Sequence, residues 1–117
     1  MIRDNLVVAT GGSTVFGADA DAVGIFVGPV SCCTQGVRVL NNDVIGTTKL
    51  GNGTAVGIQF VSAIDGLAVN NRITGTYGLN EKGIEYALAS SGKFRDNIVS
   101  GVGNSYTGTG TNIGNNN

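Results

Sequence analysis

The chain has 117 residues, a net charge of −1, no His and no Trp, which is the length of one domain and offers no basic patch to neutralise phosphates and no apolar run long enough to span a membrane. Hydrophobic residues at 41% are enough for a packed core, while 20 Gly against a single Pro, Pro29, exclude a collagen repeat and a Pro-rich linker. Without His there is no Ser-His-Asp or Cys-His machinery, and two cysteines alone cannot close a tetrahedral zinc shell.

In chain order, Met1-Ile2-Arg3-Asp4-Asn5 does not read as a secretory signal, because its charge is mixed and Gly11-Gly12 ends the apolar run early. Residues 2–9 alternate as a short strand around Asn5, with Val7 and Ala9 following at intervals of two. A loop at 11–22 carries Phe16 and the pair Asp19-Ala20-Asp21. A second kind of strand follows, Val23-Gly24-Ile25-Phe26-Val27. Cys32 and Cys33 are adjacent, so on an extended chain they face opposite ways; the expectation is one buried thiol and one at the surface.

The two strand types then recur. The Asn motif returns as Leu40-Asn41-Asn42-Asp43-Val44-Ile45-Gly46, as Val69-Asn70-Asn71-Arg72-Ile73-Thr74-Gly75, and as Phe94-Arg95-Asp96-Asn97-Ile98-Val99-Ser100-Gly101. The Gly-Ile motif returns as Val56-Gly57-Ile58-Gln59-Phe60 and Lys82-Gly83-Ile84-Glu85-Tyr86, with a degenerate copy at Thr111-Asn112-Ile113-Gly114. Each full copy leads to a closing glycine, Gly36, Gly66 or Gly92. Strands this short are not stable alone, and no helical segment separates them. Repeated order therefore predicts stacking, each strand pairing in parallel with its equivalent. The expected fold is all-β: a right-handed, single-stranded parallel β-helix of about four coils, approximately 2–36, 37–66, 67–92 and 93–117. An antiparallel sandwich or jelly roll is the competing architecture, and it leaves the repeats unexplained.

Three inward stacks are expected: Val7, Val44, Ile73 and Val99; Ile25, Ile58, Ile84 and Ile113; Val27, Phe60 and Tyr86. Asn5, Asn42, Asn71 and Asn97 form a structural ladder at a bend, each amide bonding the next, and Asn tolerates the left-handed backbone of a sharp corner. Asp43 with Arg72, and Gln59 with Glu85, fall at equivalent outward positions as cross-strand pairs.

The Asn-x-aliphatic-x-Gly motif alternating with Gly-Ile resembles the repeats of right-handed parallel β-helix proteins of the pectin-lyase-like superfamily, over nearly the whole chain. The Gly/Asn-rich stretch from Asn104 to Asn117 is similar to the C-terminal ends of such proteins. The resemblance implies the fold. Its members include polysaccharide lyases, hydrolases and phage tailspikes, and no catalytic motif of these matches here residue by residue.

Length varies on one side of the repeat: 19 residues from Asn5 to Gly24, 15 from Asn42 to Gly57, and 12 from Asn71 to Gly83. Insertions in a solenoid become loops on one face, often the binding face. The loops 11–22, 47–55, 76–81 and 103–110 supply the candidate ligand-binding residues Phe16, Asp19, Asp21, Lys49, Asn52, Tyr77, Asn80, Glu81 and Tyr106, whose aromatic, amide and acidic groups suit a sugar ring and its hydroxyls. Asp19 and Asp21 are the candidate Ca²⁺ ligands, since alternate residues of an extended segment share a face; no other cofactor is expected. The leading reading is a non-catalytic module that binds carbohydrate or a protein partner through this loop face. The alternatives are a lyase or hydrolase complete only as an oligomer or in a longer chain, and a structural spacer of a phage or surface fibre. An uncovered first coil exposes strand edges, so the expected partners are copies of the chain or the remainder of a longer β-helix, with no nucleic acid and no membrane. Nothing in the chain assigns a compartment.

Overall fold

The computed structural model describes residues 1–11, 19–29 and 33–117. Every element among them is a strand: β1 (Ile2–Arg3), β2 (Leu6–Val8), β3 (Ala22–Val27), β4 (Thr34–Gln35), β5 (Arg38–Leu40), β6 (Asp43–Ile45), β7 (Ala55–Val61), β8 (Ala63–Ile64), β9 (Gly66–Val69), β10 (Arg72–Ala87), β11 (Gly92–Arg95), β12 (Ile98–Gly108) and β13 (Thr111–Asn112). No helix among the described residues is long and apolar enough to cross a membrane.

All named strand pairs are parallel. One five-stranded sheet runs β1-β5-β9-β11-β13. A six-stranded sheet runs β2-β6-β10-β7-β3, with β12 beside β10, and β4 pairs with β8 in a third. The sheets are separate and only partly curled, one of them like half a barrel, a solenoid-like all-β arrangement.

The pairing register carries the predicted stacks. Val7 lies against Val44, Val44 against Ile73, and Ile73 against Val99. Ile25, Ile58 and Ile84 are in register, as are Val27, Phe60 and Tyr86. These side chains, with Val39, Ala68 and Phe94, form the buried core, against which the half-buried Val7 packs. The expected fourth member of the second stack is different: Ile84 pairs with Tyr106, and Ile113 is 46% exposed. Thr111-Asn112 instead pairs with Lys93-Phe94, so the degenerate copy belongs to another sheet. Aromatic rings continue the core, Phe60 on Tyr86 at 4.4 Å and Phe94 on Tyr106 at 4.7 Å between centroids.

The glycine of the Gly-Ile motif has a steric cause. A Cβ at Gly24 would lie 2.5 Å from the Val44 side chain, one at Gly57 2.5 Å from Ile73, and one at Gly83 2.4 Å from Val99. Each Asn-motif aliphatic residue therefore fills the space that its neighbouring glycine leaves.

The Asn ladder forms as expected and continues one rung further. Each Nδ2 donates to the next Oδ1, Asn5 to Asn42, Asn42 to Asn71 and Asn71 to Asn97 at 2.9 Å, then Asn97 to Asn116 at 3.0 Å. The backbone N–H of each of these four residues donates to the same oxygen. The left-handed corner is held not by the ladder residue but by the one before it: Asp4, Asn41, Asn70 and Asp96 all have φ of 53–56°. Their polar side chains form a second, exposed line, with Asn41 donating to Asp4 and Asn70 to Asn41.

Candidate functional site

The predicted loop residues fall into two groups. In the first, the 19–22 segment lies against the 47–55 loop. Ala20 and Leu50 exchange backbone hydrogen bonds at 3.1 and 3.0 Å. The Asp19 carboxylate accepts the Asn52 N–H at 2.7 Å, and Asp21 accepts that of Thr54 at 2.6 Å. Lys49 donates to the Gly51 carbonyl. The aspartates thus tie one loop to its neighbour. Among the described residues no three His, Cys, Asp or Glu side chains converge where they would hold a metal ion, so Asp19 and Asp21 have no third acidic ligand there. Phe16 and Cys32 lie outside the described residues; Cys33 is exposed with a free thiol.

The second group lies within β10, where the pairing with β12 slips between Thr74 and Gly78 and again between Gly78 and Lys82. Bulged segments re-aim side chains, and here the bulge is braced from inside. Glu81 is 3% exposed. Its carboxylate accepts the Thr76 N–H at 2.7 Å and the Thr76 hydroxyl. Small residues make room for it: a Cβ at Gly75 or Gly78 would come within 2.6 or 2.8 Å of its oxygens. The result on the outside is Tyr77, at φ 68°, and Leu79, which are 86% and 88% exposed, with Asn80 exposed beside them.

Tyr106 stands apart from both groups. It stacks on Phe94, and its hydroxyl donates to the carbonyls of Asn97 and Asn117 at 3.2 and 3.3 Å. Tyr86, deeper in the same aromatic column, donates to the Lys93 carbonyl at 2.8 Å. Burial pushes both phenols above their ordinary value.

Sequence reasoning missed a groove of about 520 Å³ on the five-stranded sheet, lined by Arg38, Asp65, Leu67, Ser91, Lys93 and Thr111 together with glycines. Arg38 pairs in register with Leu67, Leu67 with Lys93, and Lys93 with Thr111, so these four side chains form one outward column. Their neighbours Val39, Ala68 and Phe94 point into the core. Counting from the closing glycines hides this column. Gly36 donates to the Ile64 carbonyl and so lies level with Asp65, one residue off the level that pairs Gly66 with Gly92.

No protein-family model, curated protein or solved structure matches the chain.

Proposed function

We propose that the chain is a right-handed parallel β-helix of about four coils, of the kind found in pectin-lyase-like proteins, and that it serves as a non-catalytic module that binds carbohydrate through its loop face. The repeat of parallel registers and the Asn ladder support the fold. One observation carries the function: Tyr77 and Leu79 are held out in solvent at 86% and 88% exposure by a bulge whose brace is the buried Glu81 carboxylate. The left-handed backbone at Tyr77, φ 68°, is disfavoured by roughly 1–3 kcal/mol, and the Glu81 brace holds it there. An aromatic face fixed in advance of binding lowers the ordering cost of recognition and suits the C–H face of a sugar ring, with the Asn80 amide beside it for hydroxyls. The tie of Asp19 and Asp21 to backbone N–H groups points the same way: these carboxylates build loop shape.

The proposal extends to assembly. The outer edges of β1, β2 and β3 have no strand partner among the described residues, and Leu6, Val8 and Phe26 on them are 67%, 57% and 55% exposed. A second copy of the chain covers this layer.

A glycan array with the wild type and Tyr77→Ala tests the binding reading. The expected result is binding to a restricted set of glycans, weakened at least tenfold by the substitution. Absence of binding to every glycan, or binding indifferent to Tyr77→Ala, would overturn it.

A further inference from the structure

We infer that the small cavity beside the Glu81 brace is a site for a single bound water, which ties the Glu81 carboxylate to the hydroxyl of Thr47 in the neighbouring repeat. Three observations lead there, and none depends on what the loop face binds.

The first is a repeated position whose partner has changed. Thr47 and Thr76 each follow the last glycine of an Asn motif, Gly46 and Gly75. Thr76 bonds the Glu81 carboxylate through both its N–H and its hydroxyl. On β7 the residue in register with Glu81 is Ala55, whose side chain offers no acceptor. Thr47 therefore takes the place of Thr76 in a repeat that lacks the Glu. Thr47 is 5% exposed, and its Oγ1 is buried without a hydrogen-bond partner among the described residues. A hydroxyl buried in that way is costly, and ordered water is the usual partner where protein supplies none.

The second is space. Thr47, Ala55 and Glu81 line one cavity, walled by Gly57, Ile73 and Val102. The methyl of Ala55 stands where its register partner carries a carboxylate-bearing chain. The cavity volume is about 10 Å³, and one water needs roughly 10–15 Å³. Larger ligands are excluded by size. A buried water also needs about two to four polar partners, and the Thr47 hydroxyl and the Glu81 carboxylate are two.

The third is the unmet demand at Glu81. This carboxylate is 3% exposed and has no salt bridge among the described residues. Its chain neighbour Lys82 is turned to Glu85 instead. The Thr76 N–H reaches Oε2 and the Thr76 hydroxyl reaches Oε1. A carboxylate has about four acceptor sites, so these two donors leave capacity for a third. The water donates one hydrogen to Glu81 and accepts from the Thr47 hydroxyl. The brace that holds out Tyr77 then runs on into the neighbouring repeat.

The test is an atomic-resolution crystal structure of the full chain, grown with rubidium in place of sodium salts, together with amide hydrogen exchange in solution. Support is one non-protein density peak without rubidium anomalous signal, within hydrogen-bond distance of Thr47 Oγ1 and a Glu81 oxygen. Thr47→Val keeps the shape and removes the hydroxyl; it is expected to lose the peak and to speed exchange of the Thr76 amide at least about fivefold. Thr47→Ser should keep both peak and protection. Thr107→Val serves as the control, because Thr107 Oγ1 is also buried without a partner among the described residues but lines no part of this cavity; it should leave Thr76 exchange unchanged. The inference is overturned by a cavity empty or filled by a protein group, by a rubidium peak, which would make it a cation site, or by Thr47→Val that retains the peak. A raised urea midpoint in Thr47→Val with Thr76 exchange unchanged would overturn it too, since the hydroxyl would then have no partner to lose. Should Thr47→Val not fold, the wild-type density and the Thr47→Ser variant decide: a peak absent from either overturns the site.

Discussion

At the scale of single residues, two neighbouring asparagines do opposite work. Asn71 is 1% exposed; it accepts from the Asn42 backbone and side chain, and donates to Asn97 and to the Val39 carbonyl. Asn70 is exposed, and it supplies the left-handed turn with φ 53°. Removing the Asn71 amide strands buried donors of Asn42 and a buried carbonyl, each worth about 1–3 kcal/mol when left unpaired. Asn71→Ala is therefore expected to lower unfolding stability by about 3 kcal/mol or more, whereas Asn70→Gly, which keeps the corner conformation, should change it by less than about 1 kcal/mol. Urea unfolding of the two variants separates them, and equal losses would refute the division of labour. The ladder positions were legible in the sequence because Asn recurs two residues before an aliphatic. The fifth rung was not. Asn116 stands among three consecutive asparagines, and nothing in that run singles it out. Which residue takes the left-handed turn was also misplaced by one, because Asn and Asp tolerate it equally and the two adjoin in the motif.

At the scale of elements, the Gly-Ile strand is defined by what it lacks. Its glycine lets an aliphatic chain from the Asn-motif strand come within contact of backbone, as Ile73 does at Gly57 and Val99 at Gly83. Gly57→Ala forces Ile73 aside and approaches the Gly83 carbonyl, at 2.8 Å from the added carbon. Overpacking of this kind typically costs about 1–3 kcal/mol. Adding Ile73→Ala, which removes both γ carbons that meet the new methyl, should recover part of that loss, so the pair is expected to be less destabilised than the sum of its single variants. Strict additivity in urea unfolding would show that the two side chains do not meet. The motif itself was visible from sequence; its reason was not, since the partner that fills the space lies 16 to 20 positions away along the chain. Register was the other limit. One extra residue before β5 shifts Gly36 against Gly66, and only the hydrogen-bonded pairing shows that Arg38, Leu67 and Lys93 share a column.

At the scale of the whole molecule, the candidate surfaces occupy different places. The loop residues grouped by length variation divide between a tied pair of loops and a braced bulge, while the groove arises from the sheet whose connecting arcs vary least. Length variation marks where a chain can afford insertions; it carries no information on where outward cations happen to align. The outermost layer, with Leu6, Val8 and Phe26 exposed, predicts concentration-dependent self-association. Sedimentation equilibrium should give a mass above that of one chain, and Leu6→Lys/Phe26→Lys should return it to the monomer. A wild type that stays monomeric at high micromolar concentration would refute this.

The Asn ladder also has a direction. Between rungs the donation always runs the same way, from Asn5 toward Asn116, whose own amide is taken up by the Asn112 side chain and nearby carbonyls. At the opposite end the Asn5 oxygen accepts from no donor among the described residues. Among the described residues the column is thus a polar thread with a bare acceptor at one tip. Two copies meeting tip to tip about a two-fold axis would set acceptor against acceptor and could not splice their threads. Such a pair must slide off axis and be held by its apolar side chains, whereas a layer added with an amide donor above Asn5 would lengthen the thread without a break.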